Sequence, residues 1–125
     1  MGFGKKIVAV DDSNLVLKML NKVLDRRYDL HAFVDGSRAL EFLKEKTPDL
    51  IILDIDMPVI NGFDLLKMIK GMEHLKDVPV IFLTSNSDKE HVVKAVAGGA
   101  VDYVVKPIDV DILSGKIEKI LSDKA

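Results

Sequence analysis

Apolar residues fall along this chain in two alternating patterns. Runs of strand length, Ile7 to Asp11, Tyr28 to Val34, Leu50 to Ile55, Val78 to Leu83 and Val101 to Val105, are separated by stretches with helical spacing. Ile7-Val8-Ala9-Val10, Leu50 to Leu53 and Val80 to Leu83 are apolar throughout, which predicts strands covered on both faces. Around Leu30-His31-Ala32-Phe33 the polarity partly alternates, and Val101-Asp102-Tyr103 mixes polar with apolar. The second and fifth strands are therefore predicted at the sheet edges.

Between the strands, Val16, Met19, Leu20 and Val23 fall at i, i+3, i+4 and i+7, and Leu65, Met68, Ile69 and Met72 repeat the spacing, predicting amphipathic helices. Ala39, Leu40 and Leu43 give a weaker helix. Another opens with Ser87-Asp88-Lys89-Glu90, the pattern in which serine and glutamate satisfy each other's orphan backbone donors, and stops at Gly98-Gly99. The last runs from about Asp109, with Val110, Leu113, Ile117, Ile120 and Leu121 facing inward. Five strand-then-helix units predict an α/β protein with a mostly parallel sheet, because each crossover helix returns the next strand parallel. With no repeat, low-complexity tract or linker-like segment, one domain over residues 1–125 is expected.

Composition removes several classes of function. The absence of cysteine excludes thiol nucleophiles, Cys-ligated zinc and iron–sulfur clusters, and gives no disulfide scaffold. With 18 basic against 20 acidic side chains and no long basic run, a nucleic-acid surface is not expected. Apolar runs such as Leu50-Ile51-Ile52-Leu53 are far below the ~18 residues of a spanning helix, and Met1-Gly2-Phe3-Gly4-Lys5-Lys6 carries no apolar signal core. A cytoplasmic, water-soluble module is the expectation.

Ligands of parallel sheets bind at the carboxyl ends of the strands. Those ends carry Asp11-Asp12, Asp54, Thr84-Ser85 and Lys106-Pro107. Clustered carboxylates raise one another's pKa unless a cation neutralises them, and Mg²⁺, a hard ion taking one or two carboxylates and phosphate oxygens, is the expected one. The chemistry that follows is phosphoryl transfer onto a carboxylate. Asp54, at the centre of the sheet, is the candidate nucleophile; Asp12 and Asp54 are candidate Mg²⁺ ligands; Lys106 and Thr84 are placed for the remaining phosphoryl oxygens. Pairing of Lys106 with Asp54 before phosphate arrives would hold the site ready.

Taken together, Asp11-Asp12-Ser13, Leu53-Asp54-Ile55-Asp56-Met57-Pro58 with Asn61-Gly62, Phe82-Leu83-Thr84-Ser85, Gly98-Gly99-Ala100 with Asp102-Tyr103, and Lys106-Pro107 resemble the receiver domain of two-component response regulators. The resemblance runs from Lys5 to Ser122 and implies a flavodoxin-like, doubly wound (βα)5 fold, with strand order 2-1-3-4-5 and helices on both faces. It implies that Asp54 accepts a phosphoryl group from a histidine kinase or histidine phosphotransfer protein. Mg²⁺, or Mn²⁺ as a substitute, would be held by Asp12, Asp54 and the Asp56 carbonyl, with Asp11 supporting them. Thr84 and Tyr103 would switch on phosphorylation, altering the face of the fourth helix, fifth strand and fifth helix, where a downstream protein docks. Asp56 and Asn86 would tune the phosphate lifetime, and Lys106-Pro107 would be a cis peptide. Such a domain catalyses only its own phosphorylation and dephosphorylation. The resemblance fits a monomer and leaves open a phosphorylation-dependent dimer, the cognate kinase, and work alone or within a longer regulator.

Two alternatives share some of these features. The hydrophobic strand ending in Asp54-Ile55-Asp56 also resembles haloacid-dehalogenase-like phosphatases, in which the first aspartate is phosphorylated and the second is an acid or base; against it, the strand is third and Met57-Pro58 replaces the usual residues. A non-catalytic binding module, whether a flavodoxin-like FMN carrier or a receiver-like interaction domain, shares the architecture. For FMN, the pair Asp11-Asp12 would repel the phosphate. His31, His74 and His91 have no mutual metal-ligand spacing.

Overall fold

The computed structural model describes residues 4–85 and 89–123. In chain order the elements are β1 (Lys6–Val10), α1 (Asn14–Leu24), β2 (Asp29–Phe33), α2 (Gly36–Leu43), β3 (Leu50–Asp54), α3 (Gly62–Lys70), β4 (Val80–Thr84), α4 (Lys89–Ala97), β5 (Asp102–Val105) and α5 (Val110–Asp123). The five strands form one parallel sheet in the order β2-β1-β3-β4-β5. This is the doubly wound, flavodoxin-like arrangement. The strands of mixed polarity, β2 and β5, lie at the edges, and the apolar ones lie inside.

Alternation along each strand explains the continuous apolar runs. Val8, Val10, Ile51, Leu53, Val80 and Phe82 point to one face and pack with Ala39 and Leu43 of α2, Leu65, Leu66 and Ile69 of α3, and Ala95 of α4. Ile7, Ala9, Ile52, Ile81 and Leu83 point to the other and pack with Leu17, Leu20 and Leu24 of α1 and Leu113, Ile117 and Leu121 of α5. Burying both faces at about 25 cal/mol per Å² of apolar surface is the main favourable contribution to folding.

The helical stripes differ in phase from the sequence reading. On α1 the fully buried positions are Leu17, Leu20 and Leu24, while Val16, Met19 and Val23 are half-buried beside them. On α3 they are Leu65, Leu66 and Ile69; Met68 faces outward and Met72 lies beyond the helix end. A helix lying on a sheet buries a band wider than a two-residue seam, so an i, i+3, i+4 pattern finds the helix before it finds the centre of its face.

Capping side chains fix the starts of three helices near the sheet's carboxyl edge. Val16 N–H donates to Ser13 Oγ at 3.3 Å, Arg38 N–H to Asp35 Oδ1 at 2.8 Å, and Asp64 N–H to Asn61 Oδ1 at 2.9 Å. The expected cap of α4 begins at Ser87, outside the described residues. Its predicted stop is present: Gly99 has φ +106°, Gly99 N–H donates to the Val96 carbonyl and Ala100 N–H to that of Ala95. Among the described residues, no helix is long and apolar enough to cross a membrane.

Gly62 begins α3 directly against the end of β3. Its N–H donates to the Ile55 carbonyl at 2.8 Å, and a Cβ there would stand 2.5 Å from the Asp54 carbonyl oxygen and 2.7 Å from Ile55 Cα. Gly115 is the opposite case: it lies inside α5 with nothing within 4 Å of an added Cβ. Gly62→Ala is expected to lose about 1–3 kcal/mol of stability and Gly115→Ala to gain up to about 1 kcal/mol, read from urea unfolding midpoints at constant m-value.

Candidate functional site

The strand ends bring charged side chains together at the carboxyl edge. Asp54 is the last residue of β3 and Thr84 the last of β4; both are buried, as is Asp11 just past β1. Asp12 is exposed beside them. Asp11, Asp12 and Asp54 each offer a carboxylate oxygen within 4.8 Å of the others. Lys106, one residue after β5, places Nζ 2.9 Å from Asp11 Oδ2 and 3.3 Å from Asp54 Oδ1. One ammonium thus pairs with two of the three clustered carboxylates.

The backbone holds these groups in place. Asp11 N–H donates to the Phe33 carbonyl, Ile55 N–H to that of Leu83, and Lys106 N–H to that of Thr84 at 2.7 Å. Asp11 Oδ1 accepts the Ser13 N–H at 2.9 Å, and Asp54 Oδ1 accepts the Asp56 N–H at 3.3 Å. Asp11 Oδ2 is in ion-pair contact with Lys106 but outside hydrogen-bond geometry, so this buried oxygen retains acceptor capacity. The Lys106–Pro107 bond is cis.

Burial, and then the neighbouring charge of Asp11, push the Asp54 carboxyl up to about 7, although Lys106 and the Asp56 N–H both favour its ionised form. For Lys106, burial acts to lower the pKa, but contact with Asp11 and the charges of Asp11 and Asp54 outweigh it and hold the ammonium above its ordinary value. Hard carboxylate oxygens with an uncompensated negative charge suit a divalent cation of the Mg²⁺ type, and the retained acceptor capacity of Asp11 fits the same use.

Asp56 is exposed, and its carboxylate is not part of the three-aspartate cluster; Oδ2 accepts from Ser85 Oγ at 3.4 Å across the mouth of the site. Tyr103 is half-buried on β5, in register with Phe82, and its N–H donates to Asp102 Oδ1. Lys116 of α5 pairs with Asp102 Oδ2 at 2.8 Å. Asn86 lies outside the described residues. The sequence reading did not single out Ser85 as a partner of Asp56, or Gly62 as the residue that lets α3 press on the Asp54 backbone. For Gly62 the signal was the Asn-Gly pair at a helix start; for Ser85 only the fold supplies it.

Comparison with known proteins places these residues in a family setting. The family profile described as "Response regulator receiver domain" matches residues 7–118. The chemotaxis protein CheY of Pseudomonas aeruginosa is 34% identical over 117 residues, covering 92% of this chain and 94% of that protein. A Vibrio cholerae protein named "Probable cyclic di-GMP phosphodiesterase" is 36% identical over 118 residues, and the two-component response regulator ARR12 of Arabidopsis thaliana 40% identical over 113. The chain spans 27% and 18% of those two relatives, respectively. Among solved structures, Vibrio cholerae CheY4 matches with a TM-score of 0.88 at 31% identity, over 93% of this chain and 98% of that one. The receiver domain of a signal transduction histidine kinase from Syntrophus aciditrophicus matches at 0.86 and 34% identity, over 95% and 91%.

The buried charge gives the site a measurable pH signature. The folded Asp54 carboxyl titrates near 7, above its unfolded value of 3.8, so the native state binds the extra proton and stability falls as pH rises through that window. In the absence of divalent cations, Asp54→Asn is expected to raise Tm, by more at pH 8 than at pH 5. Thermal unfolding at the two pH values checks it; an equal shift at both would contradict a raised Asp54 pKa.

Proposed function

This chain belongs to the response regulator receiver family of two-component signalling, and from that premise we propose that Asp54 is its phospho-acceptor. The observation that carries the reading is the buried Asp54 carboxylate, held between Lys106 and the carboxylates of Asp11 and Asp12 at the mid-sheet strand end. The donor is a phosphohistidine on a histidine kinase or phosphotransfer protein. An Asp54 oxygen forms a bond to phosphorus in line as the bond from phosphorus to the donor imidazole nitrogen breaks, its electron pair staying on that nitrogen. Lys106, already 3.3 Å from Asp54 Oδ1, follows the charge onto a phosphoryl oxygen, and the Thr84 hydroxyl approaches another from the next strand. When bound, Mg²⁺, or Mn²⁺ in its place, supplies counter-charge to the phosphoryl oxygens; the ligands we assign are Asp12, Asp54 and the Asp56 carbonyl, with Asp11 behind them.

The phosphoryl group replaces one carboxylate charge by a larger one, and that change biases a two-state equilibrium. Thr84 moves toward it and Tyr103 turns inward, altering the face formed by α4, β5 and α5. Exposed Val93, Val96, Val101 and Ile112 give that face the apolar surface a downstream protein would cover. The module works in the cytoplasm, alone or as the receiver part of a longer regulator, and catalyses only its own phosphorylation and dephosphorylation. A phosphatase reading would need the Asp56 carboxylate as acid or base, whereas that group is turned to Ser85 Oγ.

Incubation with acetyl phosphate is expected to add the mass of one phosphate in the presence of Mg²⁺, without effect on Asp54→Asn. No gain from any donor would leave a receiver fold used for binding. Asp56→Asn and Asn86→Ala are expected to remain phosphorylatable but to change the decay rate several-fold, followed by the same mass measurement; unchanged decay in both would contradict their role as lifetime residues.

A further inference from the structure

The described side chains of α4 bury little surface against the sheet. Among its described side chains Ala95 is buried, whereas Val93 and Val96 are 58% and 59% exposed. A groove of about 550 Å³ separates it from α3, lined by Phe63, Leu66, Lys67, Lys94, Ala97 and Gly98 among others. Among the described residues, Gly98 and Lys94 make contacts across that groove. At the C-terminal end of α4, Gly98 packs so closely on α3 that a Cβ would stand 3.3 Å from Leu66 Cδ2. One turn earlier, Lys94 Nζ sits 4.6 Å from the centroid of the Phe63 ring.

Phe63 is an unusual place to anchor a cation. It follows Gly62, which is pressed against the Asp54 backbone, and its ring meets that of Phe82 edge-on at 5.3 Å and 71°. Phe82 is fully buried on β4, two residues before Thr84. The ring therefore touches the strand that carries Thr84, and Lys94 lies on the helix into which that strand leads. We propose that Lys94 is a positioning residue: its ammonium on the Phe63 ring ties α4 to the first turn of α3 and, through the packing of Phe63 on Phe82, to the strand that ends in Thr84, and so holds α4 in the resting arrangement. A contact that stabilises one of two arrangements sets their populations, so its removal favours the arrangement that accepts phosphate. This role rests on the phospho-acceptor reading; the contact itself does not.

The test uses the full chain as wild type, Lys94→Gln, Lys94→Arg and Phe63→Leu, with two readouts. Amide hydrogen exchange over residues 89–97 is expected to accelerate about two- to fivefold in Lys94→Gln and in Phe63→Leu, with β1 and β3 peptides unchanged. Lys94→Arg, which keeps a cation for the ring, is expected to restore the wild-type rate. The initial rate of mass gain from acetyl phosphate and Mg²⁺ should rise by a similar factor in Lys94→Gln. Unchanged α4 exchange in Lys94→Gln would overturn the anchor, and faster exchange with an unchanged phosphorylation rate would overturn the positioning role. If even the wild type gains no phosphate from any donor, the phospho-acceptor reading and the positioning role both fall, while the exchange data still decide whether the contact anchors α4.

Discussion

A single ammonium paired with two of three clustered carboxylates is the constraint on which this structure turns. Lys106 reaches from the end of β5 past β4 to Asp54 on β3 and Asp11 beyond β1, so the geometry of three strand ends meets at one nitrogen. Such a group costs stability, because carboxylates are drawn into a low-dielectric site with too little counter-charge. The raised Asp54 pKa expresses that cost. In the proposed phospho-acceptor role, an incoming cation and phosphoryl group would find donors already in position, which is the advantage a preorganised site has over one assembled on demand.

Everything around the site serves its rigidity on one side and its freedom on the other. The central strands are buried on both faces, and α3 starts so close to β3 that glycine is required at position 62. Toward the sheet edge, Val93 and Val96 of α4 and Val101 just before β5 are exposed, and among the described residues α4 is held by Ala95, Gly98 and the cation on Phe63. With Asp54 as the proposed acceptor, a rigid site beside a helix whose described side chains bury little surface is an arrangement in which a local charge change can alter a distant face.

Much of this is legible in the amino-acid sequence. Uniform apolar runs mark β1, β3 and β4 as interior because both of their faces pack, and mixed polarity marks β2 and β5 as edges. The convergence of Asp11, Asp12, Asp54, Thr84 and Lys106 follows from their places at the strand ends. What escaped the sequence depends on distances between elements. The width of the α3 band, the pairing of Ser85 with Asp56, the contact of Gly62 with Asp54 and the seat of Lys94 on Phe63 join residues whose spacing carries no periodic signal. The phase of α1 and α3 escaped for a related reason, since an amphipathic pattern fixes a face only to within a residue of its centre.

The central claim concerns one oxygen on one residue, and chemical trapping addresses it directly. Borohydride reduces an acyl phosphate to the alcohol with release of phosphate, so an aspartyl phosphate is converted to homoserine. After treatment with acetyl phosphate and Mg²⁺, reduction and peptide mapping, homoserine is predicted in place of Asp54 and at no other aspartate. Homoserine at Asp11, Asp12 or Asp56, or at none, would contradict the assignment of Asp54 as the acceptor.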